Sequence, residues 1–203
     1  MKFKDTIGIF ENAFSEAECK AIIYKLEEGI KTGEAYSGKS GEGGVNEYKK
    51  STDYNILASD KDKDLANVVM GRFNDVLSNK YLENYPHGDI FNHHHLVNGK
   101  TYYPLLQVQK YDQNSGHYNA WHLELEDANT MMRAFVFILY LNDVEVGGET
   151  GFLFKEEGSD DFFKVKPKTG KLIIHPASWP YVHKGHMPIS NDKYIITTWL
   201  CYR

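Results

Sequence analysis

The sequence predicts a mainly β protein with N-terminal helices, an α+β chain in which a β-barrel or sandwich carries a helical layer on one face. Three observations point there. The N-terminal part holds two stretches whose apolar residues recur at the 3.6-residue helical period. From Leu105 onward the pattern changes to short β segments bounded by turn residues. Aromatic residues make up 14% of the chain, which suits a barrel with large side chains inside.

The first helix begins at Ser15, where Ser15-Glu16-Ala17-Glu18 reads as a capping box with Glu18 at the third helical position. Ile22, Ile23, Leu26 and Ile30 form its apolar stripe and Gly33 ends it. The stretch from Thr32 to Lys50, with Gly38, Gly41, Gly43 and Gly44, has few apolar anchors and reads as a mobile loop. A lid over a barrel's substrate and a plain solvated connection fit that composition equally. A second helix is expected from about Asp62 to Tyr81, carried by Leu65, Val68, Val69, Phe73, Val76 and Leu77, with Tyr85-Pro86-His87-Gly88 as the terminating turn beyond it. Strands are expected near Leu105–Tyr111, Ala120–Leu125, Ala134–Leu141, Phe162–Val165, Lys171–His175 and Tyr194–Cys201, with turns at Asn142-Asp143 and Lys168-Thr169-Gly170.

At 203 residues the chain reads as one domain, 1–203, with about 1–100 as helical support and lid region and about 101–203 as barrel core. Its 41% hydrophobic and 25% charged content is that of a globular protein. A net charge of −5 argues against general nucleic-acid binding. No apolar run approaches membrane-spanning length, and Met1-Lys2-Phe3-Lys4-Asp5 lacks the apolar stretch of a signal peptide. Cys19 and Cys201 are the only cysteines, so reduced thiols used for packing, and a cytoplasmic location, are expected.

The chemistry concentrates at His122, Glu124 and His183. On an extended Trp121-His122-Leu123-Glu124, positions i and i+2 share a face, so an imidazole and a carboxylate project together. A distant second imidazole can complete two His and one carboxylate on one face of a metal, which leaves coordination positions free and suits non-heme Fe(II) chemistry. Alone, His-x-Glu is a weak signal, and a strand on a solvated face is its bland alternative.

The surroundings strengthen it. His183-Lys184-Gly185 is followed by Pro188, Lys193-Tyr194 and Trp199, and preceded by Tyr140-Leu141-Asn142, Gly147-Gly148-Glu149-Thr150 and Pro167-Lys168-Thr169-Gly170. From about Leu105 to the C-terminus this order and spacing resembles the Fe(II)/2-oxoglutarate-dependent dioxygenase superfamily, in its prolyl 4-hydroxylase-like branch. The resemblance implies a double-stranded β-helix, or jelly-roll, barrel and a hydroxylase acting on an aliphatic carbon, of a prolyl or other amino-acid residue, with release of succinate and CO2. It implies Fe(II) held by His122, Glu124 and His183, 2-oxoglutarate and O2 as cosubstrates, and ascorbate as a reductant. That branch usually carries Asp where this chain has Glu124. A carboxylate is nonetheless present, so the likeness does not extend to halogenating members, which lose it.

Lys193 is the anchor the resemblance implies for the far carboxylate of 2-oxoglutarate, at the start of a strand apolar on both faces. Thr150 and an upstream Tyr would hydrogen-bond the cosubstrate; Tyr111 is favoured over Tyr118. Trp199 would pack near metal and cosubstrate. His183 is chosen over His175 and His186 because it alone has Gly at +2 and Lys at +10. His93-His94-His95 reads as a solvated loop, since three consecutive imidazoles cannot face one ion on a regular element. Arg133 is left open between a substrate carboxylate and a pairing at the barrel rim. The rival function is a non-catalytic metal-binding sensor or cupin-like module, which has no reason to bury Lys193 beside the metal. Expected partners are a small-molecule, peptide or protein substrate.

Overall fold

The computed structural model describes residues 2–39, 47–155 and 162–203. Five strands come from the first hundred residues: β1 (Lys2–Lys4), β2 (Ile7–Phe10), β3 (Tyr36–Ser37), β4 (Lys49–Lys50) and β5 (Thr52–Asn55). The C-terminal half adds β6 (Thr101–Tyr102), β7 (Gln107–Tyr111), β8 (His117–His122), β9 (Arg133–Tyr140) and β10 (Thr150–Lys155). After these come β11 (Phe162–Val165), β12 (Leu172–Pro176), β13 (His183–Gly185) and β14 (Lys193–Tyr202).

The helices form where the periodicity places them. Helix α1 (Glu16–Thr32) starts at Ser15, whose hydroxyl accepts from the Glu18 amide while the Glu18 carboxylate accepts from the Ser15 amide at 2.7 Å. Gly33 ends it at φ +76°, a left-handed position that costs a glycine little. Cys19, Ile22, Leu26 and Gly29 are buried, whereas Ile30 is exposed. Helix α2 (Lys63–Val76) continues without a break into a π turn over Leu77–Tyr81, so the expected length holds. It buries Ala66, Val69, Phe73 and Val76 and leaves Val68 on the solvent side. No helix among the described residues is long and apolar enough to cross a membrane.

All strand pairings among the described residues are antiparallel. Among the described residues the larger sheet runs β1-β2-β12-β9-β14-β7-β5-β3, with β6 also on β14, and the smaller runs β11-β10-β13-β8-β4. The strand β14 reads as apolar on both faces because both faces are covered. Ile196 and Leu200 join the core under α1 and α2. Ile195 and Trp199 join a second core between the two sheets, with Val136, Ile138 and Tyr140 of β9 and Phe152 of β10.

Three sequence expectations are corrected. The first hundred residues supply sheet strands as well as helical support. Tyr36–Ser37 pairs with Thr52–Asp53, and Lys49–Lys50 pairs with His117–Tyr118, so both flanks of the expected loop are strands. Gly38 packs against Ser51 and Asp53, while Gly41, Gly43 and Gly44 lie outside the described residues. Lastly, β8 stops at His122 instead of reaching Leu125. Beyond it the Leu123 amide donates to Glu126 Oε1 at 3.1 Å, and the Glu126 and Asp127 amides donate to Thr130 Oγ1, both at 2.9 Å. Side-chain bonds of this kind take the backbone groups that ladder pairing would use.

Candidate metal centre

His122 on β8 and His183 on β13 are direct register partners, so adjacent strands project both imidazoles to the same side. Each ring is fixed through Nδ1, which lies 2.9 Å from the Ala120 carbonyl in His122 and 3.0 Å from the Tyr181 carbonyl in His183. An Nδ1–H bonded in this way leaves Nε2 as a free lone pair. Glu124 lies two residues beyond the end of β8, and its Oε1 is 3.6 Å from His122 Nε2 and 3.5 Å from His183 Nε2. The three donor atoms all fall within 4.8 Å of one another, and no other such cluster exists among the described residues.

The electrostatics suit a cation. Glu124 is buried, which alone would raise its pKa, but the bonds and charges of His122 and His183 hold it well below the ordinary carboxylate range. Burial and the neighbouring His122 push His183 down, keeping it neutral. Burial opposes the charge on His122, but the bond and charge of Glu124 outweigh it and shift that ring upward, toward a proton that a metal ion would displace. Two imidazoles and an ionised carboxylate converging on one point are a donor set that fits Fe(II).

A cavity of about 390 Å³ opens in front of this face, lined also by Lys193, Tyr111, Thr150 and Trp199. Lys193 is 2% exposed. Its Nζ donates to the Gly148 carbonyl at 3.2 Å and sits 4.5 Å from the centre of the Tyr111 ring, its register partner across β14 and β7. Gly147 and Gly148 adopt φ +75° and +76°, and a Cβ on Gly148 would meet Val144 Cγ1 at 3.2 Å and Lys193 Cδ at 3.4 Å. No carboxylate pairs with Lys193 among the described residues, and burial pushes its amine down to about 8. A buried cation facing a cavity with only neutral acceptors is unfavourable unless an anion completes it.

The remaining predicted residues fall into distinct places. The Tyr111 hydroxyl donates to Gln109 Oε1 at 2.9 Å, near Lys193. Tyr118 stacks on the His122 ring at 4.0 Å and 14°. Thr150 is buried in β10, its hydroxyl accepting from Tyr140 at 2.5 Å. Trp199 Nε1 donates to Glu124 Oε2 at 2.9 Å. Arg133 pairs with Glu124 Oε2 at 3.1 Å and lines the same cavity.

Neither rival histidine belongs to the metal face. His175 is fully buried behind His183, with ring centres 5.0 Å apart, and burial lowers its pKa to about 3. His186 packs against Gly151. His93-His94-His95 lies in a helical turn over Asn92–Val97 and not in the expected loop, with His95 packed on Phe91 and Tyr202.

The sequence reading missed a polar wall of the cavity. Lys49 is 3% exposed and pairs with the fully buried Asp53 at 3.0 Å. Asp53 also accepts from Ser51 at 2.7 Å and from Gln107 at 2.6 Å. Gln107, Gln109 and Lys49 all line the cavity. No spacing announces a cluster assembled from β4, β5 and β7.

Residues 106–201 match the model of the 2OG-Fe(II) oxygenase superfamily. Prolyl 4-hydroxylase 13 of Arabidopsis thaliana is 30% identical over 123 residues, which cover 50% of this chain and 44% of that protein. Probable prolyl 4-hydroxylase 9 of the same plant is 33% identical over 110 residues, or 45% of this chain and 36% of that protein. The chain thus spans less than half the length of these curated relatives. Among solved structures, a Trichoplax adhaerens prolyl hydroxylase in complex with a hypoxia inducible factor peptide fragment superposes with TM-score 0.75 at 16% identity, covering 98% of this chain and 84% of that one. The viral collagen prolyl hydroxylase of Paramecium Bursaria Chlorella virus-1 superposes with TM-score 0.66 at 16% identity, covering 98% and 97%. These likenesses establish the jelly-roll fold of the barrel.

Proposed function

We propose, from the match of residues 106–201 to the 2OG-Fe(II) oxygenase superfamily and from the geometry of the site, that the chain is an Fe(II)- and 2-oxoglutarate-dependent dioxygenase. It hydroxylates an aliphatic carbon and releases succinate and CO2. His122, Glu124 and His183 hold the Fe(II), whose chemistry with O2 couples decarboxylation of 2-oxoglutarate to oxidation of the substrate. Lys193 pairs the far carboxylate of 2-oxoglutarate, with the Thr150 hydroxyl as a further donor at that end and the Tyr111 hydroxyl as another once it turns from Gln109. The aromatic rings of Tyr111, Tyr118 and Trp199 keep water from the reacting atoms.

The observation that carries this reading is the placement of Lys193, a buried cation that no carboxylate ion-pairs among the described residues, in the same cavity as the metal face. A metal-binding sensor or cupin-like module gains nothing from such a group and loses stability by burying it. The named relatives favour a prolyl residue of a peptide as the hydroxylated group, with another amino-acid side chain or a free amino acid as the alternatives. Ascorbate serves as the rescuing reductant in this proposal. The free, buried Cys19 and Cys201 support a cytoplasmic setting.

Succinate release measured with Fe(II) over a panel of prolyl peptides, other peptides and free amino acids tests the proposal. Substrate-stimulated succinate is expected with at least one class. Metal binding without succinate from any of them would favour the sensor reading.

Acidity gives a second check. Burial pushes the Lys193 amine down to about 8, so without an anionic partner it is charged below that pH and neutral above it. The ion pair with 2-oxoglutarate is therefore available at pH 7 and fades as pH rises through about 8, approaching a tenfold affinity loss per unit. Between about 8 and the ordinary lysine pKa the unfolded chain binds the extra proton, so the contribution of Lys193 to folding stability rises with pH there while cosubstrate affinity falls. Calorimetric titration at pH 7 and pH 9 measures this, and an unchanged affinity at pH 9 would assign the anchoring to another group.

A further inference from the structure

The two carboxylate oxygens of Glu124 face different neighbours, and this division carries an inference that rests on reading His122, Glu124 and His183 as a metal face. Oε1 points at the two imidazoles, 3.6 and 3.5 Å away. Oε2 points the other way, accepting from Trp199 Nε1 at 2.9 Å and from Arg133 Nη1 at 3.1 Å. The same Arg133 nitrogen donates to Glu124's own carbonyl at 2.8 Å, so one guanidinium ties the end of the side chain back to its backbone. Arg133 Cζ lies 3.8 Å from the centre of the Trp199 ring, so the two donors brace one another.

We propose that Arg133 and Trp199 are positioning residues that reserve Glu124 Oε2, so that Glu124 meets the metal through Oε1 alone and the remaining coordination positions stay open for cosubstrate and O2. A carboxylate can bind a cation through one oxygen or through both, and two-oxygen binding would consume a position the reaction needs. The backbone does not settle this choice. Glu124 lies beyond the end of β8, where no ladder bond fixes it, and a glutamate has one more rotatable bond than an aspartate. The intervening segment is built to deliver the clamp. Asp127 Oδ1 accepts from the Asn129 and Thr130 amides at 2.9 and 3.0 Å, and the Arg133 amide donates to the Thr130 carbonyl at 3.0 Å. This stapled turn places Arg133 at the first residue of β9, facing Glu124.

Cobalt(II) titration of the purified protein tests the proposal, with the dissociation constant, the visible ligand-field spectrum and the melting temperature as readouts. Arg133→Gln removes the charge and one donor at Oε2. Trp199→Phe keeps the stacked ring and removes the other. Each variant should show an altered Co(II) ligand-field spectrum and a Co(II) affinity shifted about 10- to 100-fold from the parent, while its melting curve stays that of a folded protein. A folded Arg133→Gln protein with parental affinity and spectrum would overturn the clamp. If Arg133→Gln fails to fold, Trp199→Phe decides by the same criteria. Absence of Co(II) binding by the parent protein would instead remove the metal reading itself, so the two failures are distinguishable.

Discussion

Replacement of His183 with alanine is expected to abolish both metal retention and succinate formation, and Glu124→Ala or His122→Ala to do the same. The expectation rests on geometry: three donors within 4.8 Å form one face, and two ligands do not hold a labile divalent ion against water. The loss is not one of folding. Removing the charge of Glu124 also leaves Arg133 unpaired, so that variant should be the least stable of the three. Metal content after dialysis and succinate yield report the two effects, and thermal unfolding reports the third. Full activity in His183→Ala would pass the ligand role to His175 or His186, although His175 points its Nδ1 at the Pro176 carbonyl 2.7 Å away from within a fully buried strand.

The second large effect belongs to Lys193. Lys193→Ala removes the sole buried cation at the far end of the cavity among the described residues. Losing one partner of a desolvated charge pair costs about 2–5 kcal/mol, which is roughly 30-fold to a few thousandfold in affinity. The apparent KM for 2-oxoglutarate should rise by that factor while metal affinity stays nearly parental, because Lys193 touches none of the three ligands. Since burial of the charged amine is itself unfavourable, Lys193→Ala should not lower the melting temperature in the absence of cosubstrate. An unchanged KM would point to Lys49 or Arg133 as the anchor, but both already hold carboxylates, Asp53 and Glu124.

Much of the scaffold was legible because its signals are local. The capping box at Ser15 and the stripes of α1 and α2 lie within single segments, as do the apolar runs of β9, β12 and β14. The N-terminal strands were not legible for the opposite reason. Ile7–Phe10 is a strand because Leu172–Ile174 lies beside it, and nothing in four residues announces a partner so far along the chain. Tyr36–Ser37 and Lys49–Lys50 are shorter still and polar, so their composition speaks for a loop while the edges of the sheets recruit them.

The candidate site divides the same way. His122 and Glu124 are two apart, and His183 carries its own local signature, so the sequence brought all three forward. It placed Glu124 on a strand, however, and the structure puts it past the strand end, where Arg133 and Trp199 orient it instead of backbone pleat. The Lys49–Asp53 pair with Gln107 was invisible, because residues from three strands converge only after folding.

The most direct test is a calorimetric titration of 2-oxoglutarate into the protein under anaerobic conditions, with and without Mn(II) or Co(II). If the metal face and Lys193 hold the two ends of one molecule, 2-oxoglutarate should bind one per chain and far more tightly when metal is present, since one carboxylate then has the ion and the other the buried amine. Metal binding with no effect of the metal on 2-oxoglutarate affinity would contradict the dioxygenase reading and leave a metal-binding module.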